Sequence, residues 1–355
     1  MNKHILPDHG AVVPLSKSLN EWNPKRSGIC FLWYLYTSGP QYDAAAAAMH
    51  DSIAIVNIIW FLLALCFLIA FCLCKFSLKL PHSLEHVFQD LIRYGKTKEH
   101  IKRSNWQLVF DISKRCFYHF YAVSVMWNGL LLLLSLCSVV MNEALPDWLI
   151  DALWCLTGRP RDAWNELHLS ILLLQVLLWV HSLRRLLECL FVSVFSNGVI
   201  HVVQYAFGLG YYVLLGLTVL CINSSLPQSG SLVSQLTWHH VIGTLLFIWA
   251  SLLQNRSLSM LAKMRTDSSG KVETLAHKMP CGGWFELVSC PHYLAELLIY
   301  VSMSVCCGCS SLTWWLVVLY VLCNQALAAQ LCHDYYRSKF ETYPTQRKAF
   351  IPFVL

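Results

Sequence analysis

Near its carboxyl end the chain reads Ser289-Cys290-Pro291-His292-Tyr293-Leu294-Ala295-Glu296-Leu297-Leu298-Ile299-Tyr300, and apolar residues continue to about Cys306. The run has the composition of a membrane-spanning helix, yet it carries one carboxylate, Glu296, in its opening turns. A charged side chain within a spanning segment is costly, and it normally faces a polar cavity or a partner. His292 lies four residues earlier and so on the same helical face. The stretch therefore predicts a polar site inside a helical membrane domain.

The composition of the whole chain is that of an integral membrane protein. Of its 355 residues, 56% are hydrophobic and 13% are charged, which is more apolar surface than a soluble domain hides. Helices satisfy their own backbone groups in lipid. We therefore predict an all-α integral membrane protein with about seven transmembrane helices enclosing a cavity. The predicted spans are 53–74, 117–141, 167–183, 199–221, 236–253, 293–306 (extended backward) and 312–331.

The chain divides into two parts at the first long apolar run. Residues 1–50 contain four prolines and an alanine run at 44–48, and we expect them to form a poorly ordered N-terminal extension. Residues 51–355 are expected to form one seven-helix membrane domain without a soluble appendage.

The basic residues of the loops predict an orientation. Segment 75–116 carries nine Lys and Arg, segment 254–290 carries five and the C-terminal tail carries four, whereas 142–166 carries five acids against two Arg. Because cytosolic loops are enriched in Lys and Arg, the basic loops and the C-terminus are predicted to be cytosolic. The net charge of +6 then arises from this bias, and neither it nor any motif indicates a nucleic-acid partner.

Two classes of redox enzyme are disfavoured by their missing motifs. A di-iron membrane enzyme needs several clustered histidine boxes, whereas the chain offers little beyond His82-x-x-x-His86 and His239-His240, so we expect no metal. A soluble nicotinamide enzyme shows GxGxxG between a strand and a helix, but Gly208-Leu209-Gly210 lies in mid-span. A dinucleotide would have to bind in a helical pocket.

Such a pocket needs cations for the phosphates and a polar contact for the nicotinamide amide. The candidate cations are Lys96, Arg265, Lys278, Arg337, Lys339, Arg347 and Lys348. For any single one of these cations, the alternative explanation is that Lys and Arg are enriched in cytosolic loops. That explanation is weaker for Lys278 and for the cluster in the C-terminal tail. Arg184 and Arg185 either lie at the lipid headgroups or close a phosphate site beside Glu188.

Several stretches resemble the steroid 5α-reductase family, and within it the polyprenol-reducing branch. The family motifs are matched by Pro280-Cys281-Gly282-Gly283-Trp284-Phe285-Glu286-Leu287-Val288-Ser289, by Tyr293-Leu294-Ala295-Glu296 and by Tyr343-Pro344-Thr345-Gln346-Arg347-Lys348-Ala349-Phe350-Ile351-Pro352-Phe353. The branch is matched at 88–98, at 181–185 continuing through 192–197, and at 312–318. The resemblance covers roughly residues 85–355.

The resemblance implies a seven-helix, NADPH-dependent enzyme of the endoplasmic reticulum membrane that reduces a carbon–carbon double bond. It implies that Glu296 holds the nicotinamide amide and that Asp111, if protonated, donates to the substrate carbonyl. His292 replaces the motif asparagine, and Ser182 replaces a tyrosine of the steroid-reducing members. The residues implied to bind the cofactor are Tyr94, Lys96, Gln254, Arg265, Lys278, His292, Glu296, His333, Tyr336 and Arg337.

The expected activity is reduction of the α-isoprene double bond of polyprenal or polyprenol in dolichol biosynthesis, which supports protein N-glycosylation. The aldehyde is chemically favoured, since a conjugated carbonyl delocalises the charge that arrives with a hydride. The expected partners are a polyisoprenoid lipid and membrane lipids, and the oligomeric state is left open. The alternatives are a steroid 4-ene 5α-reductase and a non-catalytic lipid-binding membrane protein.

Overall fold

The computed structural model describes residues 54–98, 103–164, 167–222 and 232–355. The predicted extension, residues 1–50, lies outside them. The described residues form helices α1 Ile55–Lys75, α2 His82–Ile92, α3 Asn105–Leu108, α4 Tyr118–Met141, α5 Asp147–Thr157, α6 Leu169–Leu187, α7 Val202–Leu220, α8 Trp238–Lys263, α9 Pro291–Cys306 and α10 Leu312–Lys339. Two short strands, β1 Asp111–Ser113 and β2 Val199–His201, pair antiparallel.

The predicted fold class is confirmed. Among the described residues, six helices are long and apolar enough to cross a membrane, namely α1, α4, α6, α7, α8 and α10. The remaining predicted span corresponds to α9, which has 16 residues and is therefore about 24 Å long. That is shorter than the ~20 residues that usually cross the hydrocarbon core.

The ends of the last two predicted spans can be compared with the helices. The sixth span was expected to extend backward from residue 293, and α9 does so as far as Pro291, whose missing N–H is tolerated at the first helical position. The seventh span was predicted to end at Leu331, but α10 continues as one helix to Lys339. The tyrosines and cations assigned to a tail, such as Tyr336 and Arg337, are thus helical residues.

Close helix pairs build the core around the site. Helix α8 packs along α9, and α1 packs along α10. The α8–α9 contact depends on Gly243, because a β-carbon there would lie 2.8 Å from both the Cys306 nitrogen and the Ser302 oxygen. Close packing at small residues is typical of membrane helices, and here it brings the next turns of α8 against the polar face of α9.

Candidate active site

A cavity of about 710 Å³ lies within the helical domain. Eight of the residues singled out in the sequence line it, namely Tyr94, Lys96, Gln254, Arg265, Lys278, His292, Glu296 and Tyr336. They come from the loop after α2, from α8 and the loop that follows it, and from α9 and α10. Residues 242 positions apart in the chain therefore meet in one place, and the volume is within the ~300–1,000 Å³ of small-molecule sites.

Glu296 is held by two neighbours. Its Oε1 lies 3.3 Å from His181 Nε2, and its Oε2 accepts a short hydrogen bond from Gln254 Nε2. Arg184 donates to His181 Nδ1 over 3.2 Å, so a neutral His181 carries its proton on Nε2, the nitrogen that lies near the carboxylate. Each carboxylate oxygen has two lone pairs, and Glu296 retains acceptor capacity toward the cavity.

The amide of Gln254 is oriented by the residues on both of its sides. Its Oε1 accepts from Arg184 Nη2 at 2.5 Å, while its Nε2 donates to Glu296 and to the His292 carbonyl. Arg184 is anchored in turn by Glu188 at 2.6 Å. Glu188 lies in the π-helical turn Glu188–Val192 that ends α6, a distortion that is frequent at functional sites. A directed hydrogen-bond chain thus links α6, α8 and α9.

Lys96 and Tyr94 enter the cavity from a tight turn. The Lys96 ammonium lies 3.8 Å from the centre of the Tyr336 ring, and the Tyr94 hydroxyl is 2.8 Å from that of Tyr293. Between them, Gly95 adopts a φ of +56°, which glycine allows. A β-carbon at Gly198 would lie 2.6 Å from the Gly95 Cα, so this second glycine lets the turn sit close enough to reach the cavity.

The loop after α8 makes one end of the cavity electropositive. Arg265 donates to the Val194 carbonyl at 2.6 Å, and Lys278 is half-exposed beside Glu273. Burial, together with the charges of Arg265 and Lys96, lowers the pKa of His277 to about 3. Because the surrounding cations keep His277 neutral, this region is suited to binding an anion.

Asp111 does not line the cavity. It begins β1, opposite His201, and its carboxylate accepts from Arg103 at 2.5 and 2.8 Å with Lys98 at 3.5 Å. Burial opposes ionisation of Asp111, but hydrogen bonds from Arg103 and the charge of Lys98 outweigh it and lower its pKa. An ionised carboxylate has no proton to donate, and this arrangement argues against Asp111 as the donor to a substrate carbonyl.

The other residues outside the cavity come from the C-terminal segment. His333 Nδ1 is 2.7 Å from the Ser289 hydroxyl, and Arg337 is exposed on the far side of α10. Arg347 is buried and donates to the Pro280 carbonyl at 2.9 Å. The candidate cations Arg337, Lys339, Arg347 and Lys348 do not line the cavity, and the segment after α10 is hydrogen-bonded to the loop before α9.

Tyr121 was not recognised in the sequence as a site residue, and Arg185 was expected either at the lipid headgroups or at a phosphate site. Tyr121, on the first turn of α4, and Arg185, near the end of α6, both line the cavity. Arg185 donates to the Tyr121 hydroxyl from Nη2 at 3.1 Å and from Nε at 3.3 Å, and it also pairs with Glu188. Arg184 and Arg185 therefore both belong to an internal polar network. The signal available in the sequence was that an arginine so deep in a membrane domain requires an internal partner.

The opposite part of the cavity is apolar and reaches the outside of the protein. It is lined by Cys66 and Phe67 of α1, by Leu91 of α2, and by Val203 and Phe207 of α7. The rings of Phe67 and Phe207 are 6.1 Å apart across it. Several of these side chains are also exposed, so the cavity opens between α1, α2 and α7 at the level of the membrane helices.

Known proteins resemble the chain along most of its length. The family described as 3-oxo-5-alpha-steroid 4-dehydrogenase matches residues 199–355. A polyprenal reductase from Danio rerio is 80% identical over 309 residues, which cover 86% of this chain and 100% of the relative. The chain belongs to the steroid 5α-reductase family. Polyprenal reductases from Xenopus tropicalis and Homo sapiens are 53% and 47% identical to this family member, over 86% and 87% of it and 96% and 98% of their own lengths.

Membership in the steroid 5α-reductase family makes the chain an oxidoreductase and suggests a nicotinamide cofactor. The cavity suits such a group. The Nδ1 atom of His292 is buried and finds no hydrogen-bond partner among the residues that the structure describes, next to the acceptors of Glu296. His292 and Glu296 together can contact a carboxamide, and the electropositive region beside them suits the phosphates of the same cofactor.

Proposed function

We propose that this family member is an NADPH-dependent polyprenal reductase, which saturates the α-isoprene double bond of a polyisoprenoid aldehyde in dolichol biosynthesis and so supports protein N-glycosylation. The observation that carries the proposal is one cavity with two chemically different ends. One end holds Glu296 and the cations Lys96 and Arg265, and the other is lined by Phe67 and Phe207 and opens between membrane helices. The named relatives support the substrate class.

The chemistry favours an aldehyde over an alcohol. A hydride added to an isolated alkene leaves a carbanion, whereas a hydride added to the β-carbon of an enal leaves an enolate with its charge on oxygen. The reduced nicotinamide, when bound, supplies that hydride. The chain's own tasks are to orient the two ligands, to stabilise the oxygen and to keep bulk water out.

Glu296, Gln254 and His292 are proposed to hold the carboxamide. Glu296 has free lone pairs to accept from the amide, and His181 and Gln254 fix its position. His292 Nδ1 is available to complete the contact. Because both sides of the carboxylate are held before the ligand arrives, little ordering remains to be done on binding.

Lys96, Arg265 and Lys278 are proposed to bind the phosphates, including the 2′-phosphate that distinguishes NADPH. Lys96 lies over Tyr336, and Arg265 is fixed by the Val194 carbonyl. Lys278 is half-exposed beside Glu273, where it is accessible to a ligand arriving from solvent. Charge-assisted contacts of this kind are worth about 1.5–3 kcal/mol each.

The opening between α1, α2 and α7 is proposed to admit the isoprenoid chain. A long polyprenyl chain cannot be enclosed in about 710 Å³ together with a dinucleotide, so only its terminal unit enters and the rest stays in the lipid. The exposed rims contributed by Leu91, Val203 and Phe207 are apolar and suit such a chain.

We further propose that the protein resides in the endoplasmic reticulum membrane with its basic loops and C-terminus in the cytosol. The basic segments 75–116 and 254–290 carry Lys96, Arg265 and Lys278. The Lys and Arg bias that predicts the orientation therefore supports a cofactor-binding end on the side where NADPH is supplied.

The test is turnover by purified protein. The full chain in detergent or nanodiscs is supplied with NADPH and a long-chain polyprenal, polyprenol or 4-ene-3-oxo steroid, and the products are separated by mass spectrometry. We expect the saturated aldehyde to dominate. Absence of reduction of both polyprenal and polyprenol would overturn the proposal, and comparable efficiency on the steroid would reassign the enzyme to the steroid-reducing members.

A further inference from the structure

The Tyr121 hydroxyl is arranged as a hydrogen-bond donor to the cavity. Arg185 donates to it from two nitrogens, at 3.1 and 3.3 Å, which uses the acceptor capacity of the phenol oxygen. Its own proton has no acceptor within the part of the chain that the structure describes. The side chain is largely buried and lines the cavity, so the O–H is left for a ligand.

Tyr121 also lies beside the position where the cofactor amide is expected. Tyr121, Arg185 and Glu296 all line the cavity. The Arg185 guanidinium is fixed by Glu188, so the pair of N–H donors is preorganised. A phenol that receives two hydrogen bonds from a cation is polarised toward giving its proton, as a donor to a developing oxyanion needs to be.

Two alternative donors, Ser182 and Asp111, do not line the cavity. Ser182 Oγ is 2.6 Å from Ser124 Oγ and donates to the Leu178 carbonyl at 2.8 Å. Asp111 is ion-paired outside the cavity. Neither is therefore placed to donate to a carbonyl oxygen.

We propose that Tyr121 is the catalytic residue that donates a hydrogen bond to the aldehyde oxygen of the substrate, with Arg185 as its positioning residue. The inference rests on the proposed function. Hydride addition at the β-carbon of R₂C=CH–CHO gives the enolate R₂CH–CH=CH–O⁻, whose oxygen Tyr121 binds without losing its own proton. The α-carbon then takes a proton from a water molecule, whose hydroxide is neutralised by the solvent, giving R₂CH–CH₂–CHO and leaving the nicotinamide oxidised.

The first experiment compares the full-length variants Tyr121→Phe and Tyr205→Phe with the unmodified protein. Tyr205 is the matched control, since its hydroxyl is also hydrogen-bonded, to His119 at 2.7 Å, but lies outside the cavity lining. With NADPH and geranylgeranial we expect Tyr121→Phe to lose about 100- to 1,000-fold in kcat/KM, as for removal of an oxyanion donor. Tyr205→Phe should stay within about threefold of the unmodified protein, because its hydroxyl is no such donor.

A second measurement separates donation from a structural role and from turnover. The carbonyl stretch of isotope-labelled geranylgeranial bound without cofactor should shift to lower frequency in the unmodified protein and return toward its solution value in Tyr121→Phe. NADPH affinity should be unchanged in that variant, whereas its melting temperature should fall, because Arg185 loses the acceptor of two hydrogen bonds. A preserved shift, or full activity of Tyr121→Phe, would overturn the role of Tyr121 while leaving the proposed function intact. Failure of the unmodified protein to reduce any polyprenal would refute the proposed function, and the carbonyl shift would still decide on Tyr121.

Discussion

Replacing Glu296 by glutamine tests the centre of the proposed cofactor site. One carboxylate oxygen lies 3.3 Å from His181 Nε2, and the other accepts a hydrogen bond from Gln254. A glutamine has a single oxygen, so its NH₂ must face one of these two donors. The side-chain amide of Gln254 cannot flip to present its oxygen to this NH₂, because that oxygen accepts a hydrogen bond from Arg184. At least one hydrogen bond to a charged acceptor is therefore lost, at a cost of about 1.5–3 kcal/mol in stability.

The same substitution should weaken cofactor binding. A contact from the carboxamide to a charged acceptor becomes one to a neutral acceptor, a difference of about 1–2 kcal/mol, or roughly 5- to 30-fold in Kd. Glu296→Leu removes the acceptor altogether and should abolish measurable turnover, while membrane insertion is preserved because a buried charge is removed.

The assay pairs NADPH affinity, followed by nicotinamide fluorescence, with melting temperature in detergent. Glu341→Gln is the matched control, since Glu341 is exposed beyond the end of α10. Both quantities should fall for Glu296→Gln and neither for the control. A lower melting temperature with unchanged NADPH affinity would refute the reasoning and reassign Glu296 to the support of helix packing.

Three further predictions concern the cofactor, Asp111 and the orientation. NADPH should be used at least tenfold more efficiently than NADH, and Lys278→Ala should reduce that preference while Lys271→Ala leaves it unchanged; equal use of both cofactors by the unmodified protein would contradict the assignment. Asp111→Asn should keep turnover within about threefold but lower the melting temperature at neutral pH. Since the folded-state pKa of Asp111 lies below its ordinary value of 3.8, the stability it contributes is present above that value and is lost as the pH falls through the folded-state pKa, so the melting temperatures of variant and parent should converge in acid. Asn255 should carry no glycan despite the sequon Asn255-Arg256-Ser257, because it lies in the segment 254–290 that is predicted to be cytosolic; a mobility shift on Asn255→Gln after expression in mammalian cells would show that the orientation is inverted.

The helices could be predicted from the sequence because lipid imposes a long apolar run on each of them. The ends of these apolar runs predicted the ends of the helices less well. Hydropathy falls where α10 passes Leu331, but the helix continues to Lys339 because Tyr335 and Tyr336 are buried against other parts of the protein. Helix α9 begins at Pro291, since a proline is tolerated in the first turn of a helix but not in its interior.

The candidate site was predictable where residue type and motif agreed, as for Glu296, Gln254 and Lys96. It was not predictable where the decisive fact was a contact between distant helices. Tyr121 lies in an apolar run and looks like any membrane-embedded tyrosine until Arg185, 64 positions later, is placed against its hydroxyl. Asp111 has the right chemistry for a carbonyl donor, but Arg103 and Lys98 hold it elsewhere.

Helix α10 contributes Asn324 to the lining and, twelve residues later, Tyr336 near Lys96. No break in the helix separates them, so the two positions are about 18 Å apart along one rigid rod. Inserting a single residue between them would turn one set of side chains by about 100° relative to the other. The composition of the helix would hardly change, and insertion into the membrane would be unaffected, yet the two positions would no longer face the same cavity. The register of this helix, as much as any one side chain, fixes how the two parts of the cavity lie relative to each other.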